Sequence, residues 1–185
     1  MGKVRAEIDD ALRAFLNAQH LFFVATAPSG DDGHVNCSPK GGEALQVLGP
    51  TTVAYVDRVG SGIETIAHLR QNGRIVVMVC AFDGAPRIVR LHGRGSVLEP
   101  NDPVFESLLS AWGTVRLGVR SVIRVEVARI SDSCGFGVPL YAYEGERDTM
   151  AKWCEKKGAE GVAAYVREKN ATSLDGLPGM RSSVD

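Results

Sequence analysis

The chain has 185 residues, of which 44% are hydrophobic and 23% charged, proportions that suit one soluble globular domain with a substantial core. Its 21 basic and 22 acidic residues are interspersed and sum to a net charge of −1, so there is no basic footprint for nucleic acid. No apolar run approaches the ~18 to 20 residues of a membrane-spanning helix, which argues against a membrane-embedded protein.

At the N-terminus, Glu7, Asp9 and Asp10 occupy the place where a secretory signal would carry its apolar core, and a cytoplasmic location is expected. Gly2 invites myristoylation, but Ala6 stands where that signal needs Ser or Thr. Ile8, Leu12, Phe15 and Leu16 share one face at helical spacing and predict an amphipathic helix over Arg5 to Ala18, laid on a sheet. Leu21 to Ala27 is an apolar run rich in Phe and Val, followed by turn residues 28–33 and a second extended stretch, His34 to Cys37. Ala44 to Leu48 and Thr52 to Asp57 flank Gly49 and Pro50 as the next strand pair.

Gly60, Ser61 and Gly62 then lead into a short helical run, Ile63 to Asn72. Arg74 to Phe82 and Arg87 to Leu98 predict two further strands, and Gly93 and Gly95 inside the second mark a bulge or barrel corner. Asn101, Asp102 and Pro103 signal a helix that buries Phe105, Leu108 and Leu109. Ser121 to Ile130 alternates apolar and charged residues, the pattern of a half-exposed last strand. Two helices, Arg147 to Lys157 and Ala159 to Lys169, close the chain. Six or seven strands joined mainly by short turns predict an α+β fold: an antiparallel split β-barrel with flanking helices. Residues 1–185 read as a single domain, with the barrel core at about 20–130 and residues 131–185 packing on the barrel or on a dimer.

The turn at 60–62 offers backbone N–H groups and the Ser61 hydroxyl just ahead of a helix, where unpaired amides and the helix dipole favour an anion. Ser38 and Lys40 end a neighbouring extended stretch, so the two clusters could hold a phosphate from two sides. Each cluster alone has an ordinary explanation in chain reversal or a solvated lysine. A dinucleotide fingerprint is a rival, since Asp83 sits about 20 residues beyond the turn. It fails on Thr65, which stands where the third glycine is required, and on the hairpins either side.

Cys37, Cys80, Cys134 and Cys154 form no CxxC pair, and His20, His34, His68 and His92 have no ligand spacing beside them, so reduced thiols and no metal are expected. Cys134, in a glycine-rich loop without a neighbouring histidine, reads as an inert thiol. His68, one turn into its helix, either bonds locally or faces a ligand.

These residues resemble the pyridoxamine 5′-phosphate oxidase-like family, the FMN-binding split barrels, from about Phe22 to Ile130. The resemblance is carried by Val35 to Gly41, by Ala54 to Asp57 with Gly60, Ser61, Gly62, Glu64 and Thr65, and by Asn72 to Ile75. Asp132 to Pro139 and the tail from Lys169 and Asn170 through Ser173 to Gly179 are similar to an uncharacterised branch of the same superfamily. The resemblance implies a homodimer with two FMN sites at the subunit interface, the ring against strand backbone and the phosphate against basic and hydroxyl side chains. By position, Lys40 matches the family's phosphate-side lysine, with Asn36, Cys37 and Ser38 on the same strand. Val56 and Asp57 match the residues beside the flavin, and Ser61, Gly62 and Thr65 fall in the phosphate turn. Arg90 shares a strand face with Ile88 and His92 and is a second phosphate or ring candidate.

Two departures follow from the same positions. Glu64 and Thr65 stand where pyridoxamine phosphate oxidases carry an Arg and Lys pair, which removes two positive charges. The tail also lacks the arginine and histidine pattern that grips the pyridoxal substrate, so vitamin B6 oxidation is not expected. The resemblance therefore implies an FMN-dependent oxidoreductase moving hydride to or from an unknown small substrate, with NAD(P)H as the candidate donor. No particular catalytic side chain is implied. The alternatives are a flavin-binding module without turnover and a reductase that uses a deazaflavin coenzyme.

Overall fold

β-Branched and aromatic runs supply the strands of the computed structural model, which describes residues 4–41, 44–113 and 117–181. The elements are β1 (Val4–Arg5), α1 (Asp10–Asn17), β2 (Phe22–Thr26), β3 (Asn36–Lys40), β4 (Leu45–Gly49) and β5 (Thr52–Arg58). They continue with α2 (Glu64–Asn72), β6 (Arg74–Cys80), β7 (Ile88–Leu98), α3 (Phe105–Leu109), β8 (Val119–Ser133) and α4 (Thr149–Lys169). All strand pairs are antiparallel, in the order β3-β2-β6-β7-β8-β5-β4, with β1 added on β8. This is the α+β split barrel expected from the run of short-turn strands.

The core follows from strand parity. Val24 of β2 pairs with Val77 of β6, which pairs with Leu91 of β7, which pairs with Ile130 of β8, and all four are buried. The opposite parity leaves a second face: Pro39, Phe23, Met78 and Arg90 form one register row and Cys37, Ala25, Val76 and His92 the next, all half-exposed or exposed. β7 and β8 make the longest pairing, with a bulge between His92 and Gly93. A Cβ on Gly93 would lie 2.1 Å from the Glu126 carbonyl oxygen, which is why glycine stands there.

Several boundaries differ from the pattern-based expectation. β3 runs Asn36–Lys40 where an extended stretch His34 to Cys37 was expected, so Ser38 and Lys40 lie within the strand. α1 starts at Asp10 instead of Arg5, because Val4 and Arg5 pair with Ser131 and Ile130 and the Asp9 carboxylate accepts the Leu12 N–H at 2.8 Å as an N-cap. β8 starts at Val119 instead of Ser121, because Arg120, Ser121, Val122 and Ile123 are all buried and show no alternation. The C-terminal segment α4 does divide where expected: Gly158, at φ 67° and ψ 170°, parts it into two helices, and Trp153 meets Tyr165 across the break with ring centroids 5.0 Å apart. Gly2, weighed for lipidation, lies outside the described residues. Among the described residues no helix is long and apolar enough to cross a membrane.

Beyond α4 the chain returns as a strap. Thr172 bridges Pro178, the Leu174 N–H reaches Glu64, Asp175 pairs with His34, and Arg181 pairs with Asp102.

Candidate functional site

The antiparallel register of β2 and β3 puts Asn36, Ser38 and Lys40 on the same side as the buried Thr26, Val24 and Phe22. That side looks onto β5, the turn after it and the start of α2. A cavity of about 470 Å³ opens there, within the size range of ligand sites. Lys40 and Ser38 line it from β3, Gly60 and Gly62 from the turn, and Glu64 and Thr65 from α2. The two clusters singled out in the sequence thus share one cavity.

Asp57 is the electrostatic centre below this cavity. It is 0% exposed, and its two carboxylate oxygens take Lys40 Nζ at 2.8 Å and Arg120 Nε at 2.7 Å. Burial pushes its carboxyl up, but the two cations together outweigh burial and hold it below the usual carboxylate range. A buried carboxylate is tolerated because both of its oxygens are charge-paired. Arg120 in turn donates from Nη1 to Asn170 Oδ1 at 2.9 Å and to the Gly60 carbonyl at 3.3 Å, which ties β8 to the turn and to the residue after α4. With Arg58 also lining the cavity, its wall brings together three cations.

A second network is neutral. Asn36 Nδ2 donates to Thr65 Oγ1 at 2.9 Å and to Thr26 Oγ1 at 3.2 Å, while Ser38 donates to Asn36 Oδ1 at 3.2 Å. Thr26 Oγ1 lies 3.0 Å from Nδ1 of His68, whose burial lowers its pKa and keeps the ring neutral. His68 is fully buried on the core side; its bond is not a local one within the helix but reaches Thr26, 42 positions away, and it does not line the cavity.

The structure also separates residues that the sequence grouped. Ser61 is exposed at the tip of the turn and lies outside the cavity lining. Thr65 accepts a bond from Asn36 at the cavity wall, and Val56 lines the wall beside it. Asp57 holds the two cations from beneath. Cys37 lines the rim with an exposed free thiol. Arg90 sits on the other face of the sheet, donating to Ser133 Oγ at 3.0 Å, and is not brought to Lys40. Glu64 folds its carboxylate back over the turn: Oε1 accepts the Leu174 N–H at 3.1 Å, and a Cβ on Gly62 would lie 2.6 Å from Oε2. A carboxylate of the chain itself therefore stands at the positive end of α2.

Three residues at this cavity escaped the sequence reading: Arg58 and Arg120, which line it, and Asn170, which braces Arg120 and Gly60. Arg120 lies one residue before the predicted start of its strand, and its meaning depends on Asp57, 63 positions away. The tail motif did contain Asn170, but nothing in a linear pattern sets it beside Gly60, 110 positions earlier.

The sequence model of the family named Pyridoxamine 5′-phosphate oxidase matches residues 8–134. A pyridoxamine 5′-phosphate oxidase family protein of Aspergillus flavus, ustO, is 42% identical over 193 residues, covering 96% of this chain and 77% of that protein. Among solved structures, HupZ of Group A Streptococcus superposes with a TM-score of 0.56 at 20% identity, covering 74% of this chain and 99% of that one. A Lactobacillus delbrueckii protein classed with the pyridoxamine 5′-phosphate oxidases gives a TM-score of 0.54 at 16% identity, covering 68% of this chain and 94% of that one. At such identities the structural likeness shows the fold.

Proposed function

We propose, because this chain belongs to the pyridoxamine 5′-phosphate oxidase family, that it binds FMN in the β3–β5–α2 cavity and acts as an oxidoreductase on a small substrate. The observation that carries this reading is the meeting of Lys40 with the Gly60-to-Thr65 bend on one cavity of about 470 Å³. The donors fit a phosphate: Lys40, Arg58 and Arg120 supply charge, Thr65 and Ser38 supply hydroxyls, and the turn supplies main chain. Asp57 holds two of those cations in place, so little ordering is left for the moment of binding. A bound flavin would supply the hydride chemistry; the protein's part is to grip, orient and exclude water.

The ring end calls for a second surface. The half-exposed face of β2, β6 and β7 carries Phe23, Met78, Ile88 and Arg90, and beside it Phe136 and Leu140 are 82% and 76% exposed. We infer a homodimer in which this face meets its counterpart and brings Arg90 of one subunit towards the cavity of the other. A flavin-binding module without turnover is the second reading, favoured by Asp57 and Glu64, whose carboxylates offset two of the three cations.

Titration of the purified apo-protein with FMN and with a deazaflavin, followed by visible absorbance and NAD(P)H addition, tests the proposal. FMN binding with bleaching by NAD(P)H is expected. Binding without reduction by any donor leaves the module, deazaflavin binding alone replaces the coenzyme, and no binding of either overturns the reading.

A further inference from the structure

Behind Arg120 and Gly60, both of which line the cavity, stands one polar side chain contributed by the far end of the chain. Asn170, 0% exposed, is the first residue after α4. Its amide group makes a two-way clamp: Nδ2 donates to the Gly60 carbonyl at 2.9 Å, and Oδ1 accepts from Arg120 Nη1 at 2.9 Å. Arg120 Nε is already on Asp57 at 2.7 Å, and the second contact of Nη1 is the Gly60 carbonyl at 3.3 Å. Those bonds use the Nε and Nη1 hydrogens and fix the guanidinium plane of a residue that lines the cavity; among the described residues the two hydrogens on Nη2 have no partner. The residues that follow Asn170 are themselves anchored, through Glu64, His34 and Asp102, on α2, the β2–β3 connection and the segment before α3.

We propose that Asn170 is a positioning residue for anion recognition: acting through Arg120, it makes the C-terminal strap a working part of the cavity and sets the preference for a phosphorylated over an unphosphorylated ligand. An asparagine suits the place because it must donate to a carbonyl and accept from an arginine at once. A carboxylate there would meet the Gly60 carbonyl with no hydrogen, and an aliphatic side chain would take the partner from one Nη1 hydrogen and leave the Gly60 carbonyl only its longer 3.3 Å bond from Arg120. The proposal rests on the flavin reading only for the identity of the molecule that carries the anion.

The test compares affinities for FMN, riboflavin and inorganic phosphate in the wild type, Asn170→Ala and Asn170→Ser, each alone and in an Arg120→Lys background. Asn170→Ala is expected to lose about tenfold in FMN and in phosphate affinity with riboflavin unchanged, the scale of one misplaced charge-assisted contact. In the Arg120→Lys background the same change should cost nothing further, because the clamp no longer has a guanidinium to aim. Equal losses for FMN and riboflavin, or losses that simply add to those of Arg120→Lys, would make Asn170 a structural residue and overturn the proposal. If Asn170→Ala does not fold, Asn170→Ser decides by the same ratio. A wild type that takes neither flavin but binds phosphate in an Asn170-dependent way upholds the positioning role and removes the flavin reading. A wild type that binds none of the three removes both.

Discussion

The two sides of the β3–β2–β6–β7 region of the sheet solve opposite problems. On the cavity side, Asp57, Arg120 and Asn170 are all buried and every one is pinned by named partners, so charge is fixed by the chain itself. On the other side, Phe23, Met78 and Arg90 stay half-exposed, and the chain beyond β8 adds the exposed Phe136, Leu140 and Tyr141. Electrostatic preorganisation needs a closed network, because an unpaired buried charge costs several kcal/mol, whereas an apolar face can wait for its partner at little cost. The contrast teaches that a charged cavity wall has to be closed within the chain, whereas an apolar face can be left open, which is what the proposed dimer would cover.

The largest effect is expected where the closed network is opened. Asp57→Asn removes the carboxylate from between Lys40 and Arg120 and leaves two crowded cations, which should cost about 3 to 5 kcal/mol in a urea denaturation series. The same group sets an acid dependence. Its folded pKa lies below the ordinary carboxylate value of 3.8, so its contribution is complete above that value and is lost as pH falls through the lower, folded one. Wild-type stability should therefore fall at the acid end more steeply than that of Asp57→Asn. Parallel curves would mean that the pairing does not stabilise the fold.

The next effect addresses the open side. Met78 is half-exposed in the middle row of the β2–β6–β7 face, so Met78→Asp should leave the monomer's own stability nearly unchanged. Across a dimer interface the same change buries an unpaired charge and should weaken association by about 2 to 4 kcal/mol, turning dimer to monomer in sedimentation. A dimer that persists would exclude this face as the interface and send Arg90 back to the surface.

What the sequence disclosed divides along the same line. The strands were legible because runs such as 21–27 and 74–82 are apolar and β-forming, though nothing in those runs told the buried Val24 and Val77 from the half-exposed Phe23 and Met78. Gly93 was legible as a bulge or barrel corner because it interrupts a long strand, and the structure gives the reason in the Glu126 carbonyl. Lys40 and the 60–65 turn were legible as candidates for one site because each carries a local signature, and the structure sets them on one cavity. Arg120 and Asn170 were not, because their roles consist of contacts spanning 63 and 110 positions, and a buried arginine at a strand start looks in sequence like any exposed one. Asp57 showed the same limit: its place on the strand was visible, while its two cations were not.

Lys40→Ala comes third. It should weaken FMN binding by about 1 to 3 kcal/mol, the usual cost of one charge-assisted hydrogen bond, and should leave riboflavin binding alone. Because Lys40 also offsets Asp57 at 2.8 Å, part of any loss could arise from a disturbed Asp57, and the FMN-to-riboflavin ratio separates the two causes. An unchanged ratio would take Lys40 out of the phosphate site.

The smallest effect tests the sharpest departure from the family pattern. Glu64 puts a carboxylate at the start of α2, inside the same cavity as Lys40, Arg58 and Arg120, and accepts the Leu174 N–H through Oε1. Glu64→Gln keeps an oxygen for that N–H and removes the charge, so the strap should stay in place while the repulsion on an incoming phosphate disappears. FMN should then bind about 1 kcal/mol more tightly at low ionic strength, with most of the gain screened away near 1 M salt, where the Debye length is about 3 Å. Riboflavin gives the control, since it brings no charge to repel. If Glu64→Gln leaves FMN affinity where it was, the phosphate does not approach the α2 terminus, and Lys40 and Arg120 must hold it from the β3 and β8 side alone.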